Sequence, residues 1–330
     1  MTAVSTLGID LAKNTFSVHG VDAQGVVTVR RTVSRAKLGE LVARLPPCLI
    51  GMEACSGAHE WARRFSEAGH TAKLMAPKFV TPYRKSGKND GNDAEAICEA
   101  VGRPNMRFVP IKSVQQQCDL SLHRVRLGFV EERTATLNRI RGLIAEFGYV
   151  VPLGTERLRR EARDLLERLP ARAASCVRDL LEHAERLRSK ALEYEREIRS
   201  SLQHNELALR AHTRPGPITA SALVATVGNG HDFRNGRQFS AWLGLVPRQY
   251  STGGKTRLGH ITKRGDPYLR TLLVMGARSV LQRAYRETDP LSRWALALQQ
   301  RRGYHRACVA IAAKNARVAW ALLAKGAAAA

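Results

Sequence analysis

The chain has 330 residues, of which 53 are Lys or Arg and 29 are Asp or Glu, so its formal net charge is +24 at pH 7. This excess argues against an ordinary enzyme of small metabolites and favours a polyanionic partner, because neutralising nucleic-acid phosphates releases condensed counterions. The length predicts about two or three modules rather than one compact domain.

Segments typical of other classes of protein are missing from the sequence. It has no run of about 18 apolar residues and no basic leader before an apolar core, so we expect a soluble, intracellular protein without a membrane partner. The 6 cysteines form no Cys-x-x-Cys pair, and the 10 histidines have no zinc-finger spacing. This argues against a zinc ribbon and against a disulfide framework.

The first 110 residues alternate between strand and helix patterns. Apolar or alternating runs over 7–12, 16–21 and 26–33, joined by short turns, predict an antiparallel meander. The next predicted elements are a helix from Ser34 to Leu45, a strand from Cys48 to Glu53, a helix over 57–68, a strand over 71–75, a basic loop over 78–88 and a helix that opens at Asn89-Asp90. This order predicts an α/β module.

The middle of the chain has a helical pattern. Residues 113–147 form one predicted helix, and apolar residues recur within 156–210 at nearly the coiled-coil period of about 3.5 residues. These residues are Val177, Leu181, Ala184, Leu187, Ala191, Tyr194, Ile198 and Leu202. The spacing fits a dimerising coiled-coil arm and equally fits a helical hairpin folded on the body, so both interpretations stay open.

The last module begins near Arg214-Pro215-Gly216-Pro217, and a helix is predicted from Ile218 to Val227. This segment resembles a helix-hairpin-helix element, whose turn amides hold a DNA phosphate, although Pro217 and Ile218 stand where a second glycine is usual. No acidic residue follows Asp289. The basic tail is therefore either a phosphate-binding surface or a solvated helix face.

Four acidic residues occupy positions suited to metal-dependent phosphoryl transfer. Asp10 lies within an apolar strand and Glu53 ends the next buried strand, where an ionised carboxylate is costly unless it binds a metal or a partner. Asp90 and Asp93 are spaced to share one face of a helix. Two-metal catalysis needs carboxylates held together in this way. Each residue alone also has an ordinary explanation as a cap, an ion-pair partner or the start of a loop.

The order of these residues resembles a known arrangement. An Asp on the first strand of a meander, a Glu ending the fourth strand and Asp residues on a late helix are typical of RNase H-like nucleases and RuvC resolvases. Nearly the whole chain also resembles the DEDD transposases of the insertion sequence 110 family and the Piv and MooV invertases. The resemblance rests on Gly8–Lys13, Gly51–Ala54, Lys88–Ala94 and a C-terminal run, Phe239–Asp266. Thr is usual in that family where Asn89 stands here.

The resemblance implies a fold and a metal site. The implied domains are an α/β RNase H-like (RuvC-like) N-terminal domain over 1–112, an α-helical coiled-coil arm over 113–212 and a mainly α-helical C-terminal domain over 213–330. The residues implied to be catalytic and to bind a pair of Mg²⁺ or Mn²⁺ ions are Asp10, Glu53, Asp90 and Asp93.

The C-terminal run is rich in basic residues and in glycines that allow close approach to phosphate. The residues expected to bind nucleic acid are Arg248, Lys255, Arg257, Lys263 and Arg264. Gly254-Lys255-Thr256 is not part of a Walker loop, because that motif requires glycine where Gln249 stands.

In the family that this run resembles, a serine attacks DNA, which implies that Ser251 is the catalytic nucleophile. Thr252 and Ser240 are the alternatives. A serine hydroxyl needs a base or a metal to become reactive. No Ser/His/Asp arrangement is evident beside Ser251, so we expect the metal site to activate it.

The resemblance also implies the wider function. We expect a transposase or site-specific recombinase that cuts donor and target double-stranded DNA and rejoins the strands through a covalent phosphoserine. A structured noncoding guide RNA (a bridge RNA) would choose the target. A homodimer or homotetramer is implied, with Ser251 acting in cis or in trans, as is a cytoplasmic, nucleoid-associated location in a prokaryote.

Other functions stay open at this point. A RuvC-like junction resolvase or nuclease would use water in place of the serine. An actin-like sugar kinase is suggested by Gly8-Ile9-Asp10 followed by Thr15, but the helical and basic remainder offers no second phosphate loop. A nucleic-acid-binding scaffold would result if the carboxylates bind no metal.

Overall fold

The computed structural model describes residues 3–326 except 86, 88, 153 and 212–215, and only the backbone of residue 210. Lys88 of the central motif and Arg214 and Pro215 of the predicted hairpin turn lie outside the described residues. The chain divides into two compact units, Met1–Ser113 and Val114–Ala330. Each unit has a hydrophobic core of its own.

The first unit is built on a six-stranded mixed sheet with the order β3-β2-β1-β4-β5-β6. The strands are β1 (Thr6–Asp10), β2 (Thr15–Val21), β3 (Val27–Ser34), β4 (Leu49–Glu53), β5 (Thr71–Met75) and β6 (Phe108–Val109). The antiparallel pairs β1–β2 and β2–β3 confirm the predicted meander, and β4 pairs parallel with both β1 and β5. Such a sheet is consistent with the expected RNase H-like fold.

Helices pack on both faces of the sheet. They are α1 (Arg35–Ala43), α2 (Ala58–Glu67), α3 (Pro77–Val80) and α4 (Asp90–Val101). Leu7, Ile9 and Met52 are fully buried in a cluster with residues of α1 and α2. Because side chains alternate along a strand, the residues between them face the other side, where α4 packs across β1, β2 and β4.

The predicted basic loop over 78–88 is partly helical, so the prediction was wrong for its first half. The short helix α3 is followed by a 3₁₀ turn over Thr81–Tyr83. Pro77 opens α3, since its fixed φ suits the first position of a helix. Val80 is buried in a cluster with Ile97 of α4 and gives the segment an apolar anchor.

Two long helices of the second unit form an antiparallel pair. The helices of this region are α5 (Val114–Ala145), α6 (Thr155–Leu165), α7 (Ala171–Gln203) and α8 (Glu206–Ala211). Arg126 of α5 is paired with Glu195 of α7 at 2.8 Å, while Ile144 of α5 shares a buried cluster with Val177. Most of the predicted apolar stripe on α7 is buried within this single chain, as the helical-hairpin interpretation expects.

The rest of the second unit is mainly helical, with one two-stranded sheet. Its elements are α9 (Pro217–Val227), α10 (Gly236–Trp242), β7 (Pro247–Gln249), β8 (Leu258–Ile261), α11 (Pro267–Arg283), α12 (Pro290–Arg302) and α13 (Tyr304–Lys325). The helix predicted from Ile218 to Val227 is confirmed as α9. Exposed arginines lie along the basic tail, including Arg293, Arg301 and Arg306.

The helix α13 is long and apolar enough to cross a membrane by length and composition, although Lys314 and Arg317 interrupt its apolar residues. More than half of its apolar stretch, 56%, is buried inside the protein. Ile311, Ala316 and Leu323 belong to the core of the second unit. A core helix passes the same test, so α13 by itself is weak support for a membrane span.

A buried polar network joins three helices of this unit. His123 of α5 is hydrogen-bonded through Nδ1 to the Tyr268 hydroxyl of α11 at 2.9 Å and through Nε2 to Ser221 Oγ of α9 at 3.1 Å. Burial, and secondarily the charge of Arg126, lowers the pKa of His123 to about 4. The imidazole is therefore neutral at physiological pH.

Candidate active site

Asp10 and Glu53 end neighbouring parallel strands. The register pairs Thr6 with Leu49 and continues to Ile9 with Met52. The next step along both strands therefore sets Asp10 beside Glu53, at an interstrand spacing of about 5 Å. Ile9 and Met52 face α1 and α2, so both carboxylates lie on the α4 face of the sheet. The structure thus brings together two of the predicted site residues.

Two glycines bring α4 against this face. A Cβ built on Gly8 would collide with backbone atoms of Ala94 and Cys98, and one built on Gly51 would lie 2.7 Å from Val101 Cβ. The absent side chains allow the helix to lie directly on β1 and β4. Asp10 and Glu53 are each two residues further along the same face, so they share that face with the helix.

Asp90 and Asp93 lie in the first turn of α4, as the sequence predicts. The helix is capped by Asn89, whose side-chain oxygen accepts a hydrogen bond from the Asn92 amide at 2.8 Å. Both Thr and Asn are good N-cap residues, so Asn89 is a conservative departure from the family motif. Since Asn89 provides the cap, neither Asp90 nor Asp93 is needed for it.

Arg84 interacts with one of the four carboxylates. Its Nη1 donates a hydrogen bond to Asp93 Oδ1 at 3.1 Å, and both side chains are largely buried, with exposed fractions of 27% and 18%. Sequence reasoning missed this partner. The basic character of the preceding loop was the only available signal, and it did not distinguish Arg84 from its neighbours.

Cys55 also lies near the acidic pair. The side chain is partly exposed; its partial burial raises the pKa of the thiol, and the negative charges of Asp10 and Glu53 raise it further. The thiol therefore remains protonated at neutral pH and is a poor nucleophile. Its sequence position, two residues after Glu53, was the signal that could have identified it.

The donor chemistry of the acidic residues fits a hard divalent cation, because Mg²⁺ and Mn²⁺ prefer carboxylate oxygens. Asp10 and Glu53 are aligned on one face, and the helix that carries Asp90 and Asp93 crosses the same face. Within the described part of the chain, however, no three His, Cys, Asp or Glu side chains converge closely enough to hold an ion. A site built from all four carboxylates stays a prediction.

Ser251 belongs to the second unit and follows β7. The side-chain nitrogen of Gln249 lies 2.9 Å from Ser251 Oγ and donates a hydrogen bond to it. The turn between β7 and β8 includes Gly253 and Gly254, whose φ values of 55° and 76° lie in the left-handed region that glycine tolerates. Every residue from Ser251 to His260 is exposed, so the serine hydroxyl is accessible to a large partner.

The alternative nucleophiles differ in accessibility. Ser240 is only 3% exposed and lies on α10 among core residues, so its hydroxyl cannot reach a DNA strand. Thr252 is exposed and forms an isolated bridge with Lys255 in the turn. The structure therefore leaves Ser251 and Thr252 as accessible hydroxyls at this position.

The five predicted nucleic-acid-binding residues are all exposed on this part of the second unit. They are Arg248, Lys255, Arg257, Lys263 and Arg264. None forms a salt bridge with a described residue. Gly265 lies so close to the backbone of Trp242 and Leu243 that no side chain fits. This contact fixes the backbone that carries Lys263 and Arg264.

Comparison with known proteins agrees with these features. The profile described as "Transposase IS116/IS110/IS902 family" matches residues 208–292, and a DEDD profile of IS110 elements, described as "Transposase", matches residues 7–149. The chain is 42% identical to the transposase for insertion sequence element IS1328 of Yersinia enterocolitica, over 99% of this chain and 98% of that protein.

Two further relatives align over nearly the whole chain. The transposase for insertion sequence element IS1111A of Coxiella burnetii is 43% identical over 98% of this chain and 90% of its own length. A "Probable family 20 transposase" of Pseudomonas aeruginosa is 48% identical over 98% and 97%. The chain belongs to the IS116/IS110/IS902 transposase family. It is an enzyme of DNA strand transfer.

Membership in this family has direct consequences for the site. A transposase binds DNA, and the DEDD domain of this transposase implies metal-dependent catalysis. The N-terminal profile spans Asp10, Glu53, Asp90 and Asp93, and the C-terminal profile spans Ser251. The two profiles thus cover both groups of predicted site residues, in different units of the transposase.

Proposed function

We propose that this transposase cuts and rejoins DNA with an acidic metal site formed by Asp10, Glu53, Asp90 and Asp93 and a nucleophile supplied by Ser251. The alignment of Asp10 with Glu53 on the face covered by α4 is the main support for the acidic site. When bound there, a pair of Mg²⁺ or Mn²⁺ ions would activate the attacking oxygen and neutralise charge on the leaving oxygen.

Ser251 Oγ attacks the phosphorus of a DNA phosphodiester in the proposed step. A bond forms between Oγ and phosphorus, the bond to one sugar oxygen breaks, and that oxygen takes up the serine proton as a free hydroxyl. Attack by the hydroxyl of a second DNA strand reverses the exchange. The number of phosphoester bonds does not change, so strand joining requires no ATP.

Donor and target double-stranded DNA are the proposed substrates, held in part by the exposed basic residues of the second unit. A structured noncoding guide RNA is proposed as a further partner on the basis of family resemblance. Sequencing the RNA that copurifies with the full-length protein tests this point. Enrichment of an RNA encoded beside the gene is expected, and unenriched cellular RNA would count against it.

A homodimer or homotetramer is proposed for the active assembly, because two DNA molecules must be brought together. Mixing subunits tests whether Ser251 acts in cis or in trans. A Ser251→Ala subunit and an Asp10→Asn subunit, each inactive alone, are expected to restore activity together if the serine and the carboxylates come from different subunits.

The serine step is tested with end-labelled donor DNA and the full-length protein. The native protein is expected to form a covalent adduct that survives denaturing electrophoresis and disappears on protease digestion. Ser251→Ala should abolish the adduct, whereas the matched control Thr252→Ala should retain it. An adduct in the Ser251→Ala protein would disprove the assignment. Cleavage by the native protein without any adduct would instead identify a resolvase that uses water.

A further inference from the structure

A cleft of about 350 Å³ opens beside the start of α4 in the first unit. Its lining residues are Ser17, Val18, Arg30, Arg31, Thr32, Asn89, Asp90 and Gly91. It therefore lies between the edge strand β3 with its neighbour β2 and the first turn of the helix that carries Asp90. None of its basic residues or hydroxyls has a part in the proposed reaction.

The cleft continues the row of side chains that contains Asp10. In the strand register Asp10 pairs with Ser17, and Ser17 pairs with Thr32. Directly paired residues of neighbouring strands point to the same face, so the row runs from the carboxylate to two hydroxyls. Ser17 Oγ and Thr32 Oγ1 are 3.5 Å apart. The row thus begins at one predicted metal-binding residue, Asp10 on β1, and ends in a cleft that is also lined by another, Asp90 on α4.

Arginines of the edge strand β3 supply the charge of this cleft. Arg30 is two residues before Thr32 and therefore projects from the same face as the hydroxyls, whereas Arg31 alternates to the opposite face although it also lines the cleft. Arg30 and Arg31 are exposed, and neither forms a salt bridge with any residue within the described ranges. A guanidinium donates several hydrogen bonds in a fixed plane that matches phosphate oxygens. Arg30 and the two hydroxyls share one face of the sheet and form a donor set suited to a phosphate.

We propose that this cleft binds a backbone phosphate of the DNA strand being cut, close to the scissile linkage. This inference rests on the proposed role of Asp10 and Asp90 in cutting DNA. A strand whose phosphodiester is presented to those carboxylates must place its neighbouring phosphates, one nucleotide away, beside them. The arginine side chains lie on the solvent-exposed edge strand, so the polymer can continue past the cleft in both directions.

A DNA strand is favoured over an RNA strand by the shared carboxylate. Asp90 lines the cleft itself, and a carboxylate repels a phosphate unless a cation lies between them. The natural occupant is therefore the strand on which metal-dependent chemistry occurs, and in a DNA transposase that strand is DNA. Binding of RNA at the same arginines is an outcome that the test below can reveal.

The test combines a protein change with a DNA change. The protein variant is Arg30→Gln/Arg31→Gln, and the matched control is Lys37→Gln/Arg44→Gln. The control removes the same charge from two exposed residues at α1, outside the cleft, that form no salt bridge with any described residue. The probes are short duplexes that span the element end, each with one neutral methylphosphonate linkage, and binding is followed by fluorescence anisotropy with the full-length protein.

A specific pattern of affinities is expected. The Arg30→Gln/Arg31→Gln protein should bind the unmodified duplex about tenfold more weakly, the loss of one charge-assisted phosphate contact. The slope of log K against log salt should fall by about 0.9 for that phosphate. A methylphosphonate next to the cut position should weaken binding by the native and control proteins, yet leave the cleft variant almost unaffected, since that contact is already lost.

Other outcomes would overturn the proposal. Equal losses for the cleft variant and its control would mean that the arginines act only through net charge. The cleft would be assigned to another strand if only methylphosphonates far from the cut had a weaker effect on the cleft variant than on the native protein. The same would follow if the cleft variant lost affinity for guide RNA but not for DNA. These binding measurements do not depend on Ser251. Failure of the covalent adduct assay would therefore refute the serine step without affecting the test of the cleft.

Discussion

The side-chain amide of Gln249 donates a hydrogen bond to Ser251 Oγ over 2.9 Å. Gln249 is the last residue of β7, and Ser251 follows it by two positions. The bond occupies one lone pair of the oxygen and leaves the hydroxyl proton free to depart. It therefore fixes the orientation of the proposed nucleophile without competing for its proton.

Gln249→Ala is expected to slow formation of the covalent adduct about three- to tenfold, the usual effect of losing one neutral hydrogen bond. Single-turnover kinetics with saturating DNA measure this rate. DNA affinity should stay unchanged, because the exposed basic residues are intact. A change in affinity with an unchanged rate would exclude a positioning role.

Gln249→Glu provides a second test of this bond. An ionised carboxylate cannot donate to Ser251 Oγ, so the rate should fall as it does for Gln249→Ala. Protonation of the new side chain restores a donor, so the ratio of variant to native rates should rise as the pH falls toward about 4.3. A ratio that does not change with pH would contradict the assigned donor.

The acidic pair is tested by Asp10→Asn and Glu53→Gln. Each change removes a charged oxygen ligand while keeping the size of the side chain, so strand cleavage in Mg²⁺ should fall by about 10³-fold or more. Mn²⁺ should raise the thermal unfolding temperature of the native protein, and this stabilisation should be lost in both variants. Glu60→Gln is the matched control, because Glu60 is exposed and paired with Arg63 outside the acidic site. Equal losses in the control would argue against a metal-binding role.

Gly8→Ala should destabilise the first unit although it leaves all four carboxylates in place. The added methyl group meets backbone atoms of α4, which cannot move aside as a flexible side chain would, and overpacking of this kind costs about 1 to 3 kcal/mol. Urea unfolding measures the loss. Gly102→Ala at the end of the same helix, where the added atom meets open space, should change the free energy of unfolding by less than about 0.5 kcal/mol.

The buried His123 predicts a pH dependence of stability. Its pKa is about 4 in the folded protein, against an ordinary value of 6.5 for a solvated histidine, so the unfolded chain binds more protons between these two values. Stability is therefore lost as the pH falls through this window, by about 2 kcal/mol between pH 7 and pH 5. Urea unfolding of the native protein and of His123→Gln at both pH values measures the difference. An unchanged pH dependence in the variant would refute the assignment.

Much of the first unit was predictable from local patterns. The meander, β4, β5 and α4 follow from the periodicity of apolar residues and from the cap at Asn89. The strand β6 was not predictable, because its two residues form a strand only through pairing with Leu74 and Met75. The 3₁₀ turn in the basic loop depends likewise on tertiary packing, which no local pattern encodes.

The site was predictable in its residue types but not in its contacts. The acidic residues and Ser251 came from motifs, and their catalytic roles remain predictions. The pairing of Arg84 with Asp93 joins two elements that only the fold brings together. The apolar stripe of α7 had the same limitation, since its spacing indicates a buried face and does not identify α5 as the helix that covers it.

The absence of a side chain at Gly8 and Gly51 also affects how one decides whether a genomic copy of such an element encodes an intact protein. Mobile elements leave many decayed genes behind, and a survey that requires only the acidic motif would count a gene as intact when one of these glycines has mutated. A methyl group at either position would collide with atoms of the helix that carries Asp90 and Asp93. Copies that retain the acids but have lost a glycine should therefore be scored as destabilised rather than intact.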